Sequence, residues 1–324
     1  MQFNRRQLLI TSAAGASAAA LGLKSGVLAQ DGDKPTVRVG SKNFTESIIL
    51  AEMLAALMED AGYSVEKQNS LGGTVVVHEA MVNGDLDMYL EYTGTGLIAI
   101  LGEELPEQSR GGAAASPAAG ATPDSSAGQD AVYDIVAEAY PDAFGLEWLE
   151  PWGFNNTYVL AVRPETAEEY GLEKNSDLQG AAGDLVFGCS QEFLARPDGL
   201  PALQETYGME FADAIGLEPA LVYAALDEGQ VEVIAGAATE GHIERLGFVK
   251  LEDDMNFFPP YYAAPVVRQE LLEASPEVRE ILNQLSGQID DQTMGNLNLE
   301  VDEEGRNAID VARDFLVTEG YIDE

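Results

Sequence analysis

Apolar and polar positions change period several times along the chain, and each change predicts a new structural element. Between residues 84 and 96, Leu86, Met88 and Leu90 recur at every second position, which is typical of a short β-strand. Two glycines follow this strand, and apolar residues then resume at Leu97, where a helix is expected. Glycines at a strand end let the backbone approach a bound molecule, and a helix start directs free N–H groups there. The stretch therefore suits a small-molecule site, although a simple strand-to-helix turn would show the same pattern.

Strand and helix patterns alternate through most of the chain, which favours an α/β architecture. Apolar residues fall at helical spacing over residues 46–61, with Thr45 as the expected N-cap and Glu46 as a favourable acid in the first turn. The segment 158–162 is almost entirely apolar, as expected for a buried central strand. Further strands are predicted at 36–40, 63–69, 185–189 and 231–235, and four helical segments close the chain.

Charge narrows the range of partners. The chain of 324 residues is 46% hydrophobic, enough for one large or two medium domains, and carries 56 acidic against 17 basic residues. Its net charge of −39 argues against binding to nucleic acids and anionic lipids, which require basic patches. So acidic a surface is expected to keep the protein solvated in a salty environment.

The residues that usually carry catalysis are scarce. Cys189 is the only cysteine and lies in an apolar strand, while His78 and His242 are the only histidines. Their spacing suggests no Cys/His or Ser/His/Asp arrangement and no cluster of metal ligands, and no cofactor is expected. A binding protein is therefore favoured over an enzyme acting outside the cytoplasm.

The N-terminus predicts export. Within residues 1–30, Arg5 and Arg6 precede a mildly apolar run at 8–23, and Ala29 ends a small-residue cleavage site. This arrangement resembles the signal of the twin-arginine route, and a retained membrane anchor is the alternative. Because no cysteine lies near the cleavage site, lipid attachment there is excluded. A periplasmic or extracellular location, with the signal either cleaved or retained, is therefore expected.

Six motifs, in one order along the chain, resemble those of the substrate-binding proteins of ABC importers for osmoprotectants such as glycine betaine, choline, carnitine and proline betaine. They are Gly-Ser-Lys-Asn-Phe-Thr-Glu at 40–46, Leu-Gly-Gly-Thr at 71–74, Leu-Glu-Tyr-Thr-Gly-Thr at 90–95, Gly-Phe-Asn-Asn-Thr-Tyr at 153–158, Phe-Leu-Ala-Arg-Pro-Asp-Gly at 193–199 and Phe-Pro-Pro-Tyr-Tyr-Ala-Ala-Pro at 258–265. The family is non-enzymatic, works as a monomer and delivers its ligand to a membrane permease.

The resemblance implies an α/β, two-lobe periplasmic-binding-protein fold of type II, with two crossing segments and a ligand cleft between the lobes. The crossing segments are expected at 158–162 and 263–267. Residues 103–130 are rich in alanine and serine and are expected to form a flexible insertion. The expected boundaries are 31–157 for lobe 1 including that insertion, 158–263 for lobe 2, and 264–324 for the rest of lobe 1.

The same resemblance implies how a ligand is held. A quaternary ammonium has no N–H to donate, so tyrosine faces can surround it through cation–π attraction. The cage is assigned to Tyr92, Tyr158 and Tyr261. A ligand carboxylate would be held by Lys42, Thr95 and Arg196. Asn156 is expected to form a polar wall of the site.

One position departs from the family pattern. A cage tyrosine is expected shortly after the strand at 231–235, and Ala237 stands there instead. Tyr223, on the preceding helix, is a candidate to compensate. The departure leaves open an alternative in which the same fold binds an amino acid or another zwitterion without a complete cage.

Overall fold

The computed structural model describes residues 34–106 and 131–323, which form two five-stranded sheets flanked by helices. The predicted export signal at 1–30 and most of the predicted insertion at 103–130 lie outside the described residues. Within the described residues, no helix combines the length and the apolar character needed to cross a membrane.

The first sheet has the strand order β2-β1-β3-β10-β4. Strand β1 runs parallel to β2 and β3, whereas β10 is antiparallel to both of its neighbours. All five residues of β3 are buried, because the sheet is covered on both faces. The strands of this sheet are β1 (Val37–Gly40), β2 (Val65–Gln68), β3 (Met88–Tyr92), β4 (Leu146–Trp148) and β10 (Ala263–Arg268).

The second sheet repeats this arrangement with the order β7-β6-β8-β5-β9. Here β6 is parallel to β7 and β8, and β5 is the antiparallel strand that pairs with β8 and β9. Both sheets therefore place one antiparallel strand fourth in order. The strands of this sheet are β5 (Tyr158–Val162), β6 (Val186–Ser190), β7 (Asp213–Leu217), β8 (Val233–Ala237) and β9 (Val249–Leu251).

Each sheet, together with the helices that flank it, forms one lobe. The first lobe is the first sheet with α1 (Thr45–Asp60), α2 (Thr74–Asn83), a π-helix (Thr95–Leu101), α3 (Ala131–Phe144), α9 (Gln269–Ala274), α10 (Glu277–Leu282), α11 (Asp291–Asp302) and α12 (Ala308–Thr318). The second lobe is the second sheet with α4 (Pro164–Tyr170), α5 (Gln191–Ala195), α6 (Leu200–Tyr207), α7 (Val222–Asp227) and α8 (His242–Arg245). Short 3-10 turns lie at Asn175–Gly180, Ala182–Asp184, Pro219–Leu221 and Asn283–Leu285.

Helix α1 is the central helix of the first lobe, and most of its residues are buried against the sheet and the C-terminal helices. The sequence predicted this helix to within a residue at each end. The prediction that Thr45 caps it is wrong: Phe44 precedes the helix, and no side chain caps it. The Thr45 hydroxyl instead donates to Asp302 Oδ1 of α11 at 2.5 Å, so a tertiary contact replaces the local one.

The chain crosses between the lobes at 149–157 and again at 252–262. The strands at 158–162 and 263–267, which were expected to cross, instead begin directly after the crossings. Strand β5 pairs wholly within the second sheet, and β10 pairs wholly within the first. The two crossings run side by side: Asn156 N–H donates to the carbonyl of Tyr261, whose own N–H donates to Asn155 Oδ1 at 2.7 Å. Gly153 needs its φ of +127° there, and a Cβ would lie 2.7 Å from the carbonyl oxygen of Ile289.

Candidate functional site

A cavity of about 290 Å³ lies between the two lobes, beside the crossing segments. Its size is at the lower end for small-molecule sites, which suits a compact ligand. All the residues predicted from the sequence to bind ligand line this one cavity: Lys42, Tyr92, Thr95, Asn156, Tyr158, Arg196 and Tyr261. Residues distant in sequence are thus brought together, while their contacts with a ligand stay a prediction.

On the first-lobe side, Lys42 follows β1 and is 3% exposed. Its Nζ lies 2.6 Å from Glu91 Oε1 and donates to Thr74 Oγ1 at 2.9 Å. The same nitrogen is 5.3 Å from the centroid of the Tyr92 ring. Lys42 is therefore a buried cation whose charge is already compensated by a carboxylate of β3.

The glycines that follow Tyr92 have a different use from the one expected. A Cβ on Gly94 would lie 2.8 Å from the carbonyl oxygen of Pro260, and one on Gly96 would lie 2.6 Å from the Trp148 ring. These glycines allow close packing of protein against protein, so the expectation that they admit a bound molecule is not needed to explain them. The π-helix begins here with Thr95, whose hydroxyl oxygen accepts from Arg196.

On the second-lobe side, Arg196 follows α5 and is 7% exposed. Its guanidinium donates to both carboxylate oxygens of Asp198, at 2.8 and 2.6 Å, and lies 3.3 Å from Glu192. It also reaches across the cleft to Thr95 Oγ1 at 3.1 Å. Burial alone would raise the pKa of Asp198, but the guanidinium outweighs it and holds that pKa below its usual range. The charge of Arg196 is thus balanced by Asp198, and its hydrogen bond to Thr95 connects the two lobes.

Two of the predicted cage tyrosines meet at a right angle. The Tyr158 and Tyr261 rings are perpendicular, with centroids 5.4 Å apart, and Phe193 and Phe258 pack against Tyr158. The Tyr261 hydroxyl donates to Asp198 Oδ2 at 2.6 Å. These contacts fix both rings, so their faces are held in place before any ligand arrives.

Ala237, where an aromatic residue was expected, lies at the end of β8 and lines the cavity. Tyr223 of α7 also lines the cavity, and its hydroxyl oxygen accepts the N–H of Ala237 at 2.9 Å. The Tyr223 ring is stacked on His242, with centroids 5.2 Å apart. An aromatic ring from the neighbouring helix therefore stands beside the alanine.

Glu46 is a residue of this region that the sequence reasoning missed. It is 1% exposed, whereas the sequence indicated only that it is a favourable acid in the first turn of α1, which it is. Its Oε1 accepts from Tyr92 Oη and Asn156 Nδ2, both at 2.7 Å, and its Oε2 accepts from Thr239 Oγ1 at 2.6 Å and Asn298 Nδ2 at 3.2 Å. Burial raises the pKa of Glu46 to about 7, and the hydrogen bonds limit the rise.

A second cluster also joins the lobes. Ligand atoms of Glu240, His242 and Asp302 lie within 4.8 Å of one another, and His242 Nε2 is 2.8 Å from Glu303 Oε1. The hydrogen bond to Glu240 raises the pKa of His242. Sequence spacing predicted no such group, because Asp302 belongs to a helix of the other lobe. When His242 is protonated, it forms ion pairs with Glu240 and Glu303.

Comparison with known proteins places the chain in a family. It matches the family model described as the substrate-binding domain of ABC-type glycine betaine transport systems over residues 35–318. It is similar to the carnitine transport binding protein of Listeria monocytogenes, with 34% identity over 90% of this chain and 89% of the relative. It is also similar to the glycine-betaine-binding protein of Pseudomonas aeruginosa, with 35% identity over 89% of each chain.

Solved structures agree with these matches. A glycine betaine/carnitine/choline ABC transporter structure aligns with a TM-score of 0.67 and 31% identity, over 89% of this chain and 100% of that one. The apo glycine betaine-binding protein YehZ of Escherichia coli aligns with a TM-score of 0.60 and 29% identity, over 88% and 99%. The predicted two-lobe α/β fold is confirmed, and so is the prediction of a transport binding protein in place of an enzyme. The chain belongs to the family of substrate-binding domains of ABC-type glycine betaine transport systems.

Proposed function

We propose that this protein is an exported, monomeric solute-binding protein that captures a quaternary-ammonium osmoprotectant and delivers it to an ABC permease. Glycine betaine and choline are the ligands we favour. The observation that carries the proposal is that Tyr92, Tyr158 and Tyr261, predicted as a cage from separate motifs, line one cavity between the lobes. Family membership supports the same role.

The chemistry of the cavity supports this ligand class. A trimethylammonium group spreads its charge over methyl groups, so aromatic faces can hold it where hydrogen-bond acceptors alone could not, at about 0.5–2 kcal/mol per ring. Tyr223 would supply the wall that Ala237 lacks. Lys42, Thr95 and Arg196 would receive the carboxylate of a betaine through charge-assisted hydrogen bonds, and Asn156 would close the polar side.

Lobe closure would complete the site. The Arg196–Thr95 contact already joins the lobes across the cavity, and exclusion of water strengthens each electrostatic contact inside. We propose lobe boundaries at 31–157 with 264–324 and at 158–263, with 1–30 as the twin-arginine export signal. The export signal accounts for a periplasmic or extracellular location.

The alternative ligand is an amino acid or another zwitterion. It is favoured by two observations: Ala237 contributes no ring, and two buried cations, Lys42 and Arg196, line the cavity. Such a ligand would rely on the cations and would need the tyrosine faces less.

Titration calorimetry separates the two ligand classes. We expect glycine betaine or choline to bind with micromolar affinity or better, and proline or glycine to give no heat under the same conditions. Tyr92→Ala should weaken binding by about tenfold, because one cage wall is lost. Tyr170→Ala, at an exposed tyrosine of α4, is the matched control and should leave affinity unchanged. Heat with proline or glycine but with neither quaternary ammonium would overturn the proposal in favour of the alternative.

A further inference from the structure

Glu46 is a buried carboxyl group with no cationic hydrogen-bond partner among the described residues. Its four hydrogen-bond donors are all neutral, namely two hydroxyls and two side-chain amides. No lysine, arginine or histidine of the described residues pairs with it, whereas Glu91 pairs with Lys42 and Asp198 pairs with Arg196. A buried carboxylate without a counter-charge is costly, so a cation that arrived nearby would be favoured.

Tyr92 connects this charge to the cavity. Glu46 lies behind the cavity wall, while the Tyr92 ring forms part of that wall and its hydroxyl donates to Glu46 Oε1 at 2.7 Å. Donation to an anion polarises the phenol and makes the ring face more negative, and neighbouring hydrogen bonds reinforce one another in a low-dielectric interior. A cation in the cavity beside the Tyr92 ring would therefore experience both the ring and the carboxylate behind it.

The charge is also held by both lobes. Tyr92 and Asn298 belong to the first lobe, whereas Thr239 follows β8 in the second lobe and donates to Glu46 Oε2 at 2.6 Å. The complete set of donors exists only while the lobes are together. Glu46 is thus oriented behind Tyr92 in the closed arrangement, where a ligand would be enclosed.

We infer that Glu46 is a positioning residue that supplies, through Tyr92, the counter-charge for a bound cation and sets the preference for charged over uncharged ligands of the same shape. The inference rests on the proposed function, since it assumes that a quaternary ammonium occupies the cavity. It goes further by naming the residue that makes charge, in addition to shape, the recognised property.

The test compares choline with its uncharged isostere, in which a tert-butyl group replaces the trimethylammonium group. The ratio of the two affinities isolates charge recognition, because the two ligands share their shape. In Glu46→Gln we expect this ratio to fall about tenfold relative to wild type, with the loss confined to choline. A purely structural defect would weaken both ligands alike and leave the ratio unchanged, which would overturn the inference.

Glu46→Gln can be accommodated by its neighbours, and Glu52→Gln is a matched control. Asn156 Oδ1 and Asn298 Oδ1 have no hydrogen-bond partner among the described residues, so whichever amide faces the NH2 group of the new glutamine can turn and accept from it. Glu52→Gln lies on the same helix, where Glu52 is 7% exposed and pairs with Lys67 away from the cavity. This control should change stability and leave the affinity ratio as in wild type.

A pH series on the wild type gives a second measurement that needs no variant. Because the pKa of Glu46 is about 7 without ligand, the choline preference should decline as the pH falls below about 7 and the carboxyl becomes neutral. Glu240 and Asp302 from one side, His242 beside them, and Lys42 with Glu91 next to Tyr92 are the other charged groups near it. The same pH series on Glu46→Gln measures how much these other groups contribute to the change in preference.

The outcomes separate the two claims. If wild type binds choline and the preference for it neither declines at low pH nor depends on Glu46, the inference fails and the proposed function stands. If wild type binds no quaternary ammonium, the proposed function fails and the inference fails with it. A pH-dependent preference that Glu46→Gln abolishes supports both.

Discussion

Two pockets on the first-lobe side of the cleft bury a carboxylate in opposite ways. Glu91 is fully buried and accepts from Lys42, from the Tyr89 hydroxyl and from the N–H of Tyr92. Glu46 is equally buried but receives only neutral donors. The carboxylate of Glu91 is paired with a cation within one lobe, whereas Glu46 has no cationic partner among the described residues and depends on a donor from the other lobe.

This difference suggests that the charge of Glu91 stabilises the fold, whereas the charge of Glu46 serves ligand binding. Removing one partner of a buried ion pair strands the other charge, so Glu91 and Lys42 are expected to be needed whether or not ligand is present. A lone buried anion lowers stability in the empty protein, and that cost is removed either by protonation or by a cation that comes near. The following experiments test this contrast in order of expected effect.

The largest effect is expected from Glu91→Ala. It leaves Lys42 buried without its carboxylate, and we expect the free energy of unfolding of the ligand-free protein to fall by about 3–5 kcal/mol in urea titrations. Glu66→Ala, at an exposed position of β2, should cost less than about 0.5 kcal/mol. In the double variant Glu91→Gln with Lys42→Met, both charges are gone and most of the loss should be recovered. A loss below about 1 kcal/mol for Glu91→Ala would show that the Glu91–Lys42 pair is not needed for stability, contrary to the difference drawn between Glu91 and Glu46.

The pH dependence of stability should show the cost at Glu46. Its folded pKa, about 7, is above the ordinary value of 4.5, so the folded state holds a proton that the unfolded state has lost. Stability from this group is therefore present at low pH and is lost as the pH rises from about 4.5 to about 7, by at most about 3 kcal/mol. Urea unfolding of wild type and Glu46→Gln across this range should show the loss in wild type only. Parallel pH curves for the two proteins would contradict it.

Two threonines test the lobe dependence at smaller scale. Thr74 Oγ1 accepts from Lys42 within the first lobe, and Thr95 Oγ1 accepts from Arg196 across the cleft. Each hydrogen bond to a charged group is worth about 1.5–3 kcal/mol. Thr74→Val should lower the unfolding free energy of the ligand-free protein, whereas Thr95→Val should mainly weaken ligand affinity, measured by calorimetry. Equal losses of stability in both variants would show that the hydrogen bond across the cleft stabilises the ligand-free protein as much as the one within the first lobe, and would contradict this expectation.

The smallest effect is expected from added salt, which should change the melting temperature by screening surface charges only. With a net charge of −39, screening of repulsion between surface acids should raise the melting temperature by about 3 °C between low and molar salt. The stability difference between wild type and Glu91→Ala should persist, because buried charges are screened much less. No rise in melting temperature would reject the idea that the acidic surface suits a salty environment.

Sequence motifs located the residues around the cavity better than they located their partners. Strand β5 was predicted from an apolar run, because a strand buried on both faces leaves a local signature, and β3 was predicted from apolar residues at every second position. The burial of Glu46 leaves no local signature, since two of its four donors lie 193 residues away at Thr239 and 252 residues away at Asn298. The Thr45 cap was mispredicted for the same reason.

The position of β10 has a consequence for how the chain is made. Strands β5 to β9 are contiguous, so the second sheet can assemble once residue 251 has left the ribosome. The first sheet cannot, because β10 (Ala263–Arg268) fits between β3 and β4, both of which are synthesised more than 100 residues earlier. Until then the apolar β3 has an unpaired edge, which is the kind of surface that templates aggregation. During synthesis, the later-encoded lobe can therefore become native first, and the earlier-encoded one must wait, exposed to chaperones and to misassembly.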